Sequence, residues 1–367
     1  MDRAVFWKRI ERLRSFLSDK GIDSAWIRSP ENRRYLSGFR AKDLFLIESS
    51  GSLVIGKDHT ILVTDPRYEI EAKDEVPDFD IKILKNDQIK EFCKLLMELN
   101  VKTVAFEKDY VSYGIYKKMK CEFKKANYNL ELIPMPEILK EMRQVKDPQE
   151  IEAIKRSAKM ILEIMKELRK QIKPGITERE LAFKVHELSY YMGAEDLAFP
   201  PIVASGKNSA LPHAVPTEKE IRKKEPIIID IGVQVDGYCS DITRTFFIDG
   251  ADLEFEKIYS TVETAKNKAI EEAKPGIKAC ELDKIARDII EEAGYGRYFS
   301  HGLGHGVGLS VHESPSIYKT DSTTLTAGMV ITIEPGIYIP GKGGVRIEEM
   351  IVIKEDKCEV LTKGQYQ

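Results

Sequence analysis

The chain opens on apolar residues at helical spacing. Val5, Phe6, Ile10, Leu13, Phe16 and Leu17 fall between charged positions from 2 to 20, which predicts an amphipathic helix. From 23 to about 134, short apolar runs alternate with helical patterns. SAWI, LFLI, SLVIG, TILVT, IKIL and TVAF read as strands, and residues 88–98 and 110–119 as helices. This alternation predicts a self-contained α/β domain over residues 1–140. Pro134 and Pro136 then interrupt the pattern. Asp147 suits an N-cap, Pro148 the first helical position, and Glu150 stands three residues after the cap. A helix is therefore predicted from 148 to about 171, with Ile151, Ile154, Ala158, Ile161, Leu162 and Met165 on one face, opening a second domain over 147–367.

The second domain echoes itself. KPGITERELA begins at Lys173 and KPGIKACELD at Lys274, an offset of 101. The strand-like PIIIDIG returns as MVITIEPG, so that Asp230-x-Gly232 and Glu334-x-Gly336 stand 104 apart. Two matches at nearly one offset predict related halves facing each other, with an acidic residue at the equivalent place in each.

Composition narrows the class. Hydrophobic residues make up 42% and charged residues 32% of 367 positions, as expected of a globular protein. A net charge of −3 gives no reason to expect nucleic acid or an acidic membrane as partner. No apolar run suits a signal peptide or a membrane span. Five scattered cysteines, without C-x-x-C spacing, read as free thiols in a reducing compartment, so a cytoplasmic location is expected.

The chemistry concentrates in DIGVQVDGYCSDITRT, residues 230–245. Asp236-Gly237 signals a two-residue hairpin turn, so Val235 pairs with Tyr238 and Gly232 with Asp241. Asp230 and Asp241 then share a sheet face as diagonal neighbours, roughly 7–8 Å apart. A solvated acidic face is the plain alternative, but the flanking run looks buried, and buried carboxylates need partners. HGLGHGVGLSVHE, residues 301–313, holds His301, His305 and His312 between glycines that allow close approach to a ligand. Glu334 follows an apolar strand. Glu348 shares a face with Arg346, whereas Glu349 points the other way, towards solvent. His213 lies in a loop bracketed by prolines; His59 and His186 read as structural. The ligand candidates are Asp230, Asp241, His305, Glu334 and Glu348. This oxygen-rich set suits Mn²⁺, Co²⁺, Fe²⁺ or Zn²⁺, and four carboxylates suit two ions about 3.5–4 Å apart better than one.

The pattern D-x-G…Y-x-S-D-x-T-R-T, H-G-x-G-H-x-x-G…H-E, E-P-G-x-Y and G-x-R-x-E-E resembles the pita-bread metallopeptidases: methionine aminopeptidase, aminopeptidase P and prolidase. The resemblance implies an α+β catalytic domain with an internal pseudo-twofold, behind a creatinase-like N-terminal domain. That N-terminal domain, NxxYLSGF (Asn32 to Phe39) and SGKNSALPHAVP point to the Xaa-Pro branch, away from methionine aminopeptidase. TDPRYEIEA, residues 64–72, favours aminopeptidase P, with prolidase as the alternative. The five ligand positions all match. By the same resemblance Glu334 is the general base, and His213 and His312 stabilise the tetrahedral intermediate. His301 lines the proline pocket, and Arg346 and Tyr338 support the ligands. Relatives that lost the metals act as binding modules, but they lose ligands, and here none is lost. A homodimer acting on proline-containing peptides is implied, with the N-terminal domain reaching towards its neighbour's site.

Overall fold

The computed structural model describes residues 2–43 and 48–364; the LFLI run, 44–47, lies outside the described residues. The chain divides into two compact units, Met1–Met142 and Arg143–Gln367. The first contains α1 (Arg3–Asp19), β1 (Ser24–Ile27), α2 (Pro30–Ser37), β2 (Ser52–Gly56), β3 (Thr60–Thr64), α3 (Glu69–Glu75), β4 (Asp80–Ile83), α4 (Gln88–Glu98), β5 (Thr103–Phe106), α5 (Tyr113–Lys125) and β6 (Glu131–Pro134). The sheet order is β4-β3-β2-β1-β5-β6. Its inner strands β1 to β3 are buried at every residue, which is why they read as unbroken apolar runs. Pro134 is tolerated because β6 is an edge strand. The fifth helix starts later than its pattern suggests, because the Ser112 hydroxyl caps it by accepting from the Ile115 amide (3.3 Å).

Helix α6 (Ile138–Gln144) spans the division, and α7 (Pro148–Arg169) opens the second unit proper. Asp147 accepts from the amides of Gln149 and Glu150, and Glu150 accepts in return from the Asp147 amide (2.9 Å). The buried stripe holds Ile154, Ala158, Ile161 and Met165, joined by Ala153, Ile164 and Leu168, while Ile151 and Leu162 are only half-buried.

The first half continues with α8 (Glu178–Tyr191), β7 (Asp196–Leu197), β8 (Ile202–Ser205), β9 (Ile227–Ile231), β10 (Val233–Val235), β11 (Tyr238–Cys239) and β12 (Ile242–Phe246). The second supplies α9 (Leu253–Glu272), α10 (Ala279–Glu292), β13 (Gly304–Gly306), β14 (Glu313–Ile317), β15 (Val330–Ile333), β16 (Gly336–Ile339), β17 (Gly343–Arg346), β18 (Glu349–Ile353) and β19 (Cys358–Val360). Residues from α7 and α8 pack with Val203, Ile227, Ile229 and Ile242; residues from α9 and α10 pack with Ile317, Ile331, Ile333 and Ile351.

The sequence echo is a structural repeat. Gly175 N–H donates to the Ile221 carbonyl (3.0 Å), and Ile221 N–H returns to Ile176 (2.8 Å). In the other half Gly276 N–H donates to Leu325 (2.9 Å), and Leu325 N–H returns to Ile277 (2.8 Å). The halves meet where Glu348 N–H donates to the Thr243 carbonyl (3.1 Å) and Thr245 Oγ1 donates to the Arg346 carbonyl (2.8 Å). Every residue that bears on chemistry below stands at or near this seam.

Replacing Asp147 with Ala removes the cap of the 22-residue α7 and is expected to cost about 1 kcal/mol of stability, read from denaturant unfolding. An unchanged midpoint would show that packing alone holds this helix end.

Candidate metal centre

The opening hairpin sets the first two carboxylates. Asp236 and Gly237 take φ of 53° and 81°, the left-handed pair of a tight hairpin turn. Val235 pairs with Tyr238, and beyond the break at Gly232 the same register resumes as Ile231↔Ile242 and Asp230↔Thr243. Asp230 and Asp241 are consequently diagonal neighbours on one face, and both are buried.

From the other half come His305 on β13, Glu334 after β15 and Glu348 before β18. One ligand atom each from Asp241, His305 and Glu348 lies within 4.8 Å of the others. His305 Nε2 also stands 3.4 Å from Glu334 Oε1 and 3.6 Å from Asp241 Oδ2. His305 Nδ1 is engaged with the Gly306 carbonyl (3.0 Å), a bond that fixes the proton there and leaves Nε2 as the lone-pair donor. A Cβ at Gly304 would strike the Thr332 carbonyl, and one at Gly306 the Ser314 carbonyl. These glycines thus admit the backbones of β15 and β14, not a ligand as the sequence suggested; their smallness lets His305 lie against its neighbours.

Burial dominates the electrostatics. It pushes the Asp241 and Glu348 carboxyls well above the ordinary range, reinforced by the carboxylates around each. Glu334 is pushed up to about 8, again first by burial. Burial also lowers His305 and His301 to about 4 and lowers His312, so all three imidazoles are neutral at pH 7. Among the described residues, the guanidinium aimed into the cluster is that of Arg346. Burial opposes its charge, but Tyr338, Asp230 and Glu334 together raise it well above its usual value. Arg346 donates from Nη2 to Asp230 Oδ2 (2.6 Å), from Nη1 to Tyr338 Oη (2.8 Å) and from Nε to Thr243 Oγ1 (3.1 Å). Asp230 Oδ1 and Glu348 Oε1 are buried with no hydrogen-bond partner among the described residues. Leaving carboxylate oxygens this way costs several kcal/mol per ion. Once ionised, these carboxylates are acceptor-only, and beside one neutral imidazole they fit a divalent cation, which Asp230, Asp241, His305, Glu334 and Glu348 could hold.

The remaining residues ring this cluster. His301 Nε2 bonds Tyr338 Oη (2.9 Å), which joins it to Arg346. The His312 ring lies edge-on to His305 with centroids 4.3 Å apart. His213 is exposed on its loop, beside Pro212, whose carbonyl accepts from Arg346 Nη1 (3.2 Å).

Sequence reasoning missed four contributors. Thr243 Oγ1 donates to Glu348 Oε2 (2.7 Å); strand alternation already placed Thr243 on the face of Asp241. Thr332 Oγ1 accepts from the His305 amide (3.1 Å) and lies 3.3 Å from Glu334 Oε1. Arg244, on the opposite face of β12, donates to the Glu348 carbonyl and to Glu349 Oε1 (3.0 Å). Glu349 is therefore not a solvent residue. It does point away from the cluster, but into a buried pocket where Arg244 balances its charge and the Thr362 hydroxyl donates to it (2.6 Å). Glu313 is paired with Arg143 and with Lys146 (3.1 Å), and it accepts from the Ser310 amide (3.0 Å), fixing the turn that carries His312.

The comparisons with known proteins agree along the whole chain. Residues 152–355 match metallopeptidase family M24, and residues 9–145 match the creatinase/prolidase N-terminal domain. The Xaa-Pro dipeptidase of Pyrococcus furiosus is 40% identical over 358 residues, covering 98% of each chain. Two solved structures superpose closely. The Xaa-Pro dipeptidase from Bacillus anthracis has a TM-score of 0.91 at 34% identity, covering 99% of both chains. The X-Pro aminopeptidase from Thermotoga maritima has a TM-score of 0.87 at 38% identity, covering 98% of this chain and 99% of that one.

Glu313 generates a pH prediction. Burial would raise its carboxyl, yet Lys146 and Arg143 hold it at about 2, against an ordinary 4.5. Its contribution is complete above the unfolded value and drains away as pH falls from about 4.5 towards 2. The stability gap between the wild type and Glu313→Gln should be flat near neutrality and shrink through that window. A gap that stays constant down to about pH 3 would contradict the assignment.

Proposed function

Because the chain belongs to metallopeptidase family M24, we propose that it hydrolyses the peptide bond before proline in Xaa-Pro dipeptides. The observation that carries hydrolysis is the Asp241–His305–Glu348 cluster, with unpartnered carboxylate oxygens on Glu348 itself and on neighbouring Asp230. The preference for dipeptides rests on the full-length likeness to Xaa-Pro dipeptidases, and it reverses the order drawn from TDPRYEIEA. That stretch has a local explanation: Asp65 accepts from the Arg67 amide (2.9 Å) and pairs with its guanidinium (2.7 Å), closing a short turn. Release of an N-terminal residue from longer Xaa-Pro peptides is the second reading, favoured by the likeness to the aminopeptidase from Thermotoga maritima.

In this reading Asp230, Asp241, His305, Glu334 and Glu348 hold two divalent ions. The ions, when bound, would polarise the scissile carbonyl and make water acidic enough to attack near neutral pH. Glu334 takes the proton from that water; its Oε1 stands 3.4 Å from His305 Nε2, within the ligand cluster. His213 and His312 donate hydrogen bonds to the oxygen that gains charge; burial lowers His312, and a neutral imidazole there retains the N–H this needs. His301, fixed by Tyr338, forms the proline side. An X-Pro bond lacks the N–H that many peptidases grip, so a site shaped for a rigid ring has the advantage.

The test uses metal-stripped protein restored with Mn²⁺ or Co²⁺. Xaa-Pro should be cleaved, and Xaa-Pro-Zaa at least about tenfold more slowly in kcat/KM. Faster cleavage of the tripeptide would put the aminopeptidase reading first. Glu334→Gln should lower kcat by about 10²–10⁴ with the fold intact by circular dichroism, and a fully active variant would remove Glu334 from this role.

A further inference from the structure

We propose that Glu178 is a positioning residue: its buried carboxylate ties both ends of the Ser205–Thr217 loop and so sets where His213 stands. Glu178 opens α8 and is 0% exposed. Its Oε1 accepts from the Ser205 amide (2.7 Å), the Ser205 hydroxyl (2.9 Å) and Asn208 Nδ2 (3.2 Å). Its Oε2 accepts from Asn208 Nδ2 (3.0 Å), the Thr217 amide (3.1 Å) and the Thr217 hydroxyl (2.6 Å). One carboxylate therefore holds the entry and the exit of the loop whose middle bears His213.

The first turn of the loop has ties of its own: Gly206 N–H donates to the Pro226 carbonyl (2.9 Å) and Gly344 N–H to the Ser209 hydroxyl (2.8 Å). Around His213 there is less: Leu211 and Val215 are 59% and 79% exposed and the small Ala214 is the buried residue, so apolar burial contributes little to the path there. Halfway along, Arg346 grips the Pro212 carbonyl, which couples the loop to the guanidinium that also holds Asp230. The need is for a carboxylate, not merely a polar group. Each oxygen faces a backbone N–H, one from each end of the loop, and only an ionised acid offers two acceptors without a donor. A glutamine in either orientation turns its NH₂ against one of those N–H groups and releases one end.

The other half of the domain uses the same device at a different helical position. Asp283 on α10, 1% exposed, accepts from the Leu303 amide (3.1 Å). Its partner Arg287 donates to the carbonyls of Phe299 (3.1 Å) and His301 (2.9 Å). In each half, a buried acid on the second helix pins a histidine-bearing segment.

The catalytic consequence rests on the role given to His213 above, so the experiment separates the two. Glu178→Gln, Thr217→Val and His213→Ala are compared by hydrogen exchange over residues 206–217, Mn²⁺ content and kcat/KM on Xaa-Pro. Glu178→Gln is expected to keep its Mn²⁺, to exchange at least about tenfold faster in that loop, and to lose activity to within about threefold of His213→Ala. Adding His213→Ala to Glu178→Gln should then cost little more, a non-additivity that general destabilisation would not produce. Thr217→Val, which keeps the backbone donor, should move the same readouts less, and it decides the matter should Glu178→Gln fail to fold. Unchanged exchange in these variants, or losses that multiply in the double variant, would overturn the proposal. Should His213→Ala be fully active, the role of His213 falls, and faster loop exchange alone upholds the anchor.

Discussion

Four carboxylates face one guanidinium at the seam between two half-sheets, and the architecture around them follows from that imbalance. Arg346 reaches Asp230, Tyr338 and Thr243, so its charge is distributed over groups from both halves. Asp241 and Glu348 remain buried and Glu334 half-buried, with neutral histidines for company. A fold without a cation to bind would gain by replacing such groups with apolar ones, since buried like charges cost more than any surface pair returns. Their concentration at the seam supports the proposal that a cation binds there.

The pseudo-twofold explains how one chain assembles such a site. Each half brings an apolar strand with an acid near its end, Asp230 inside β9 and Glu334 just after β15, backed by two helices that bury the strand's other residues. The two halves contribute different supports. The hairpin turn at Asp236-Gly237 sets the register of Asp241 in the first, and the glycines around His305 allow three strands to crowd in the second. Backbone bonds such as Glu348 N–H to Thr243 then fix the halves to each other at the level of individual ligand candidates.

Much of this is legible in sequence because it is periodic. The pairing of Asp230 with Thr243 follows from a two-residue turn counted outwards, and α7 announces itself through Asp147, Pro148 and Glu150. What stayed hidden depends on distant partners. Glu349 reads as a solvent residue because alternation gives its direction and not what it meets there; Arg244 is 105 residues away. Glu178 looks like an ordinary first-turn acid until the loop folds back upon it. The meaning of TDPRYEIEA was likewise local, a turn closed by Asp65 and Arg67, and so a poor guide to substrate length.

The most direct test of the account is the unfolding stability of the wild type against Asp241→Asn at neutral pH, each with and without Mn²⁺. Without metal the variant should be at least as stable as the wild type, because it removes one member of a repelling buried cluster. With Mn²⁺ the wild type should gain stability as binding to the folded state demands, and the variant should gain much less. A wild type that is the more stable without metal and indifferent to Mn²⁺ would contradict the claim that this cluster is built around a cation.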